Sequence, residues 1–238
     1  DVNDPQSLYQ IRHKQWMSGR LLTTSYPAFE DFQRRNTTFS GMTGVYGYSH
    51  ATLRWGNEVI NVAGDEVTGN YFDLLGVKPA IGRFFHSADE HGPDSVPYVV
   101  LSDSLWRRAF QADRGIIGTT VEMNQHPFTV IGVTPAPFHG LERFVWPDYW
   151  IPMVNEGQLE RSDYLHQRTS VTVTVIGRLK PSVTPQQATE NLNAIVTDLA
   201  KEYPETDDGV ALRLIHPGLW GDEGDVIRGF LYSVTMLA

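Results

Sequence analysis

"SVTVTVIGRLKPSVTPQQATENLNAIVTDLAKEYP", residues 170–204, reads as a strand followed by a helix. Val171, Val173 and Val175 alternate with Thr172, Thr174 and Ile176, the period of two that gives a strand one core-facing side. Thr184 is placed to cap a helix, and Pro185 fits the first turn, where its missing N–H is not needed. Gln187 completes a capping box. Ala188, Leu192, Ile195, Leu199 and Tyr203 recur at helical spacing and form one apolar stripe. Pro204 ends the helix, and "GVALRLIHP" (209–217) reads as the returning strand. A strand–helix–strand unit therefore spans Ser170 to Pro217.

Working outward, "SLYQIRHKQW" (7–16) alternates well enough for a strand. A helix is expected over Tyr26–Asn36, started by Pro27, with Phe29, Phe32 and Phe39 on one face and Glu30, Asp31, Arg34 and Arg35 solvated. Residues 43–68 are β-rich, and Gly56-Asn57 marks a hairpin turn. "NYFDLLG" (70–76) is a short helix closed by Gly76. Then come a polar loop (86–95), a short buried strand in "VPYVVLS" (96–102), and a helix over 103–110 capped by Ser102. Two strands in 119–135 meet at a tight turn at Asn124-Gln125, and "WIPM" (150–153) is a last short strand. Asn155 to Arg168 reads as a polar linker. The two ends of the chain are expected to pair into one α/β layer with the β-rich middle inserted.

The chain has 238 residues, enough for one or two cores, and its 41% hydrophobic and 20% charged content is that of a globular protein. A net charge of −9 argues against nucleic acid and against broad docking on anionic lipid, both of which need basic surface. The absence of cysteine excludes disulfides, thiol catalysis and thiolate metal sites. No stretch reaches the ~20 apolar residues of a membrane span. The final run, "RGFLYSVTMLA" (228–238), is nevertheless apolar after its first residue. It reads either as the opening of a span or as an amphipathic end helix.

Catalytic signatures are missing: there is no nucleophile elbow, P-loop, zincin helix or dinucleotide fingerprint. The densest ligand-type cluster is His86, Asp89, Glu90, His91 and Asp94, which could hold a divalent ion or be a solvated acidic loop. Asp207-Asp208 and residues 221–225 (GDEGD) invite a calcium reading without matching a known loop. His13, His50, His126, His139, His166 and His216 are scattered singly. Phe138, Phe144, Trp146 and Trp150 cluster before the last short strand, as packing or as a contact surface. Asn36-Thr37-Thr38 is a formal sequon. These residues identify no catalytic, cofactor-binding or metal site, and no cofactor is expected.

Five stretches carry a resemblance when taken in order. They are "SYPAFEDFQRRNTTFSGMTGV" (25–45), "VTGNYFDLLGVKPAIGRFF" (67–85), "VVLSDSLWRRAF" (99–110), "IGTTVEMNQHPFTVIGVTPAPF" (117–138) and "GRLKPSVTPQQATENLNAI" (177–195). Together they resemble the periplasmic core domain of MacB/FtsX-type ABC transporter permeases, and most of all the acidobacterial-type permeases. Two departures stand out: Ser182 where the pattern has Gly, and Gln125-His126 where a Gly-containing turn is usual.

The resemblance implies an α+β fold of two subdomains. A βαβ-containing porter-like lobe would be built from both chain ends (1–77 and 157–225). A β-rich sabre-like lobe would be inserted at 78–156, and 226–238 would begin a truncated transmembrane helix. It further implies a non-enzymatic domain on the extracytoplasmic (periplasmic) face of the bacterial inner membrane. Such a domain would relay ATP-driven helix motion in efflux, lipoprotein extraction or signalling. The implied partners are its own transmembrane helices, a cytoplasmic ABC ATPase, a second copy as homodimer, and an outer adaptor or cargo, with no nucleic acid. The residues alone also allow a stand-alone extracytoplasmic ligand-binding module, or a metal-dependent hydrolase built on the His86–Asp94 loop.

Overall fold

The computed structural model describes residues 2–14, 21–141, 146–159 and 162–217. In chain order the elements are β1 (Leu8–Lys14), β2 (Leu21–Leu22), α1 (Tyr26–Arg35), β3 (Phe39–Trp55), β4 (Glu58–Val67), α2 (Tyr71–Leu75), β5 (Ile81–Gly82), β6 (Tyr98–Leu101) and α3 (Asp103–Phe110). They continue with β7 (Thr120–Met123), β8 (His126–Val133), β9 (Tyr149–Pro152), α4 (Glu156–Leu159), β10 (Thr174–Leu179), α5 (Pro185–Glu202), α6 (Pro204–Asp207) and β11 (Leu212–Ile215).

The helix starts follow local chemistry. Ser25, Ser102 and Thr184 accept the backbone N–H of Ala28, Leu105 and Gln187, satisfying donors that a helix start leaves open. Gln187 reaches back to the Thr184 N–H at 2.9 Å, so the capping box is complete. Gly76 closes α2 in the left-handed region, at φ +68°.

Among the described residues all eleven strands belong to one sheet; nine run in the order β11-β1-β10-β3-β4-β9-β6-β8-β5, β2 pairs with β1, and β7 pairs with β3 and β8. β1 lies between β10 and β11 and is antiparallel to both. The strand–helix–strand unit is thus split by the N-terminal strand, which joins the two chain ends. α1 and α5 cover one face of this part, packing Phe29, Phe32, Leu192 and Leu199 on Ile11, Met42 and Val175.

The middle of the chain does something else. β7 pairs with β8 and also with β3, at Leu53↔Met123. The pairings β3–β4–β9–β6–β8–β7 therefore close on themselves. This ring of six strands is filled by Leu53, Val62, Val99, Val121, Val130 and Ile151, and α3 adds Leu105, Trp106 and Phe110 to the same core. A third apolar cluster centres on α2. There Tyr71, Phe72 and Leu75 pack with Phe84, Phe85, Phe138 and Trp150, and Ile176 reaches it from β10.

Five expectations change. β10 begins at Thr174, and Val171 is 41% exposed. The strand has two core faces, because Val175 enters the α1/α5 core while Ile176 enters the α2 cluster. Tyr203 leaves the buried stripe and is instead a ring over which Arg168 lies, 3.8 Å from its centroid. Asp31 is not solvated. It is buried and paired with Arg34, Arg35 and Arg168. The supposed polar linker holds buried Asn155, Glu156, Leu159 and Tyr164, and part of it is helix α4.

The two departures from the family pattern fall at left-handed backbone. Asn124 and Gln125 have φ of +49° and +72°, and Ser182 has φ of +69°. Glycine is favoured there because a Cβ crowds the backbone.

Candidate functional site

A groove of about 390 Å³ lies on the face of β1, β10 and β3 opposite α1 and α5. Its shape starts from one irregularity. The β3–β4 register slips between Tyr46 and Ser49, and Tyr48 takes a φ of +66°. A bulge of this kind turns a side chain out of the strand alternation. Tyr48 is 53% exposed and stands in the groove wall.

Beneath the bulge is a buried polar anchor. The Ser49 hydroxyl donates to Glu66 Oε1 at 2.9 Å, and the Tyr164 hydroxyl donates to Glu66 Oε2 at 2.7 Å. The Tyr149 hydroxyl donates to the Ser49 carbonyl at 2.9 Å. Burial, with the Glu66 charge beside it, pushes the Tyr164 hydroxyl well above the usual phenol range, so it stays a donor. Tyr46 stacks on Tyr164 with centroids 4.7 Å apart.

The groove floor is polar. With the Gln10 amide turned so that its oxygen faces Arg12, the guanidinium donates to that oxygen at 2.8 and 3.2 Å, and Asp65 lines the same space from β4. Thr172 and Thr174 add hydroxyls. Leu141 and Pro217 are shared with a second groove of about 570 Å³, in which Trp146, 61% exposed, stacks on His139 at 4.1 Å. Opposite charges, hydroxyls and exposed aromatics in one concave surface suit a polar ligand with an apolar part.

The sequence candidates distribute differently. The His86–Asp94 loop does not converge on one point. His86 pairs with Asp73 at 2.8 Å, Asp89 with Arg83 at 2.9 Å, and Glu90 accepts the Gly69 N–H at 3.0 Å. The Asp94 N–H donates to the Val154 carbonyl. None of the five belongs to the one group of three ligand-type side chains that converges among the described residues, so the metal-hydrolase reading loses its ligand set. Burial raises the Glu90 carboxyl to about 6, against the pull of its N–H partner and with the Asp89 charge adding to the rise.

Asp207 is buried and pairs with Arg168 at 3.5 Å, which removes the calcium reading there. Residues 221–225 and 226–238, like Phe144, lie outside the described residues. Phe138 and Trp150 are core, and only Trp146 of the described aromatic cluster is a surface contact. The Asn36 side chain ends α1, donating to the Phe32 and Gln33 carbonyls. The histidines are less isolated than their spacing suggested. His13 meets Thr24 at 2.9 Å with burial lowering its pKa, His216 lies against Tyr9, and His166 pairs with Asp163. Sequence reasoning missed the Tyr48 bulge, and its one local cue is Gly47 beside it.

Residues 1–195 match the profile of the MacB-like periplasmic core domain. The macrolide export ATP-binding/permease protein MacB of Salmonella paratyphi A is 27% identical over 148 residues, 61% of this chain. The chain spans about a fifth of that relative, the match covering 21% of its length. The periplasmic region of MacB from Actinobacillus actinomycetemcomitans has the same fold, with TM-score 0.66, 17% identity, and coverage of 96% of this chain and 94% of that one. So does the extracellular domain of the noncanonical ABC-type transporter YknZ from Gram-positive bacteria, with TM-score 0.60, 11% identity, and coverage of 87% and 99%.

Proposed function

The chain belongs to the MacB-like periplasmic core domain family, and on that premise we propose that it is the extracytoplasmic part of an ABC transporter permease and does no chemistry of its own. Its task is mechanical. ATP hydrolysis by a cytoplasmic ATPase moves transmembrane helices attached to this domain, and the domain relays that motion to an outer adaptor or to cargo. The working unit is a homodimer in the full transporter, anchored in the inner membrane by helices outside the described residues. Among the described residues no helix is long and apolar enough to cross a membrane.

The observation that carries this reading is β3. Its 17 residues pair with β10 from Phe39 to Val45 and with β7 at Leu53 and Arg54. One hydrogen-bonded strand thus runs from the α1/α5 core into the six-stranded ring. We assign the first core to a porter-like lobe (1–77 and 157–225) and the ring to an inserted sabre-like lobe (78–156), with the β3–β4 tip extending into the second. Such a strand can transmit displacement without unfolding, while the lobes shift by hinge or shear about the connectors at 78–94 and 155–168.

The test is a cross-link between those connectors. A Cβ built at Gly157 lies 3.7 Å from both carboxylate oxygens of Asp94, so side chains at the two positions face one another across the connectors. In the full transporter, Asp94→Cys with Gly157→Cys, joined by a short reducible bis-thiol cross-linker, should stop transport, leave nucleotide binding intact, and recover on reduction. Transport that continues in the cross-linked form would sink the relay.

The groove with Tyr48, Arg12 and Asp65 favours a second reading, in which the domain itself binds a small ligand. A ligand-dependent rise in melting temperature, lost in Tyr48→Ala, would support it.

A further inference from the structure

We propose that Glu156, Asp163 and His166 form a binding site for a divalent transition-metal ion of the zinc class. Each side chain offers one ligand atom, and the three atoms lie within 4.8 Å of one another. The site is assembled from the start and the middle of the segment that returns from β9 to β10. Glu156 opens α4. Asp163 and His166 sit three residues apart in a turn closed by the His166 N–H on the Asp163 carbonyl at 3.2 Å.

The three groups play different physical parts. Glu156 is 5% exposed. Its oxygens accept the Leu165 N–H at 3.3 and 3.4 Å, and no ion pair among the described residues involves it. A carboxylate held out of water without a cation is a standing acceptor for one. The side chains of Asp163 and His166 are exposed, so they can swing the ångström or so that separates the present spacing from bonds of about 2.0–2.2 Å to a shared ion. His166 Nδ1 already lies 2.5 Å from Asp163 Oδ1. A metal would take the place of the proton that now holds imidazole and carboxylate together. Glu30 of α1 adds negative charge facing the same imidazole.

The donor set selects the ion. One imidazole with two carboxylates suits zinc and its neighbours, whereas calcium and magnesium prefer cages of oxygen alone. The solvent side of Asp163 and His166 leaves room for water to complete the coordination. Bound there, the ion would tie α4 to the turn before β10 and stiffen the return segment.

The experiment is calorimetric titration of zinc chloride into the tag-free protein after chelator treatment. Wild type should take up one equivalent. Asp163→Asn and His166→Ala, both at exposed positions, should bind at least tenfold more weakly with unchanged circular dichroism. His91→Ala, in the polar loop, should bind like wild type. Zinc should raise the melting temperature of wild type and not of His166→Ala. No saturable uptake by wild type, or unaltered affinity in His166→Ala, overturns the site. Displacement of zinc by calcium or magnesium at equal concentration overturns the choice of ion.

Discussion

Replacing Ser182 and Gln125 by glycine should stabilise the protein. Both residues hold left-handed backbone, at φ of +69° and +72°. Neither side chain makes a hydrogen bond among the described residues that would offset the strain. An L-residue in this region costs roughly 1–2 kcal/mol. Glycine removes that strain but adds freedom to the unfolded chain, an opposing effect of roughly 0.5–1 kcal/mol. The net gain is about 0.5–1 kcal/mol per site. Ser182 lies between β10 and α5, and Gln125 in the β7–β8 turn, with no shared partner, so the effects should add to about 1–2 kcal/mol. For a chain of this size that is a rise in melting temperature of about 2–8 °C. The neighbouring Asn124 provides the control of opposite sign. It shares the left-handed turn, but its Oδ1 accepts the Thr52 N–H at 2.8 Å and its Nδ2 donates to the Leu159 carbonyl at 3.1 Å. Asn124→Gly should therefore destabilise by about 1 kcal/mol. Thermal melts and urea titrations of the four variants decide the matter. A fall in stability on Ser182→Gly or Gln125→Gly would refute the strain argument.

Three further outcomes are expected. Arg168 joins two buried carboxylates, Asp31 and Asp207, and Arg168→Met should cost about 3 kcal/mol in urea unfolding, with partial recovery on adding Asp207→Asn. Thr184→Ala removes one half of the α5 capping box and should cost about 1 kcal/mol, read from the same titrations. Glu90 has its carboxyl raised from 4.5 to about 6, so the folded state holds the proton more tightly than the unfolded state. Its contribution to stability is therefore lost as pH rises from about 4.5 through about 6. Glu90→Gln keeps an acceptor for the Gly69 N–H and should flatten that part of the stability–pH profile relative to wild type. An identical slope in the two proteins would show that Glu90 does not titrate there.

Local chemistry was legible because it is decided within a few residues. The caps Ser25, Ser102 and Thr184, the turn at Asn124-Gln125, the αL stop at Gly76 and the stripe from Ala188 to Leu199 depend only on near neighbours. The α+β class and the pairing of chain ends through β1 were also readable, since alternation and amphipathic spacing carry that information. The candidate sites were less so. Residues 86–94 looked like a ligand set because they are adjacent in sequence, yet their side chains pair outward with Asp73, Arg83 and Gly69. The convergent group includes His166, which seemed isolated, and Glu156, which lay in an expected linker.

By itself, the sequence determined where helices begin and end, which strands alternate, and which family pattern the chain follows. Tertiary structure alone decided that β7 returns to β3 and closes a ring, because an alternating strand carries the same pattern in an open sheet and in a closed one. It also decided that Asp31 is buried. A carboxylate on a helix reads as solvated until the fold brings a distant Arg168, itself held by Asp207, to meet it, and no local pattern encodes a partner 137 residues away.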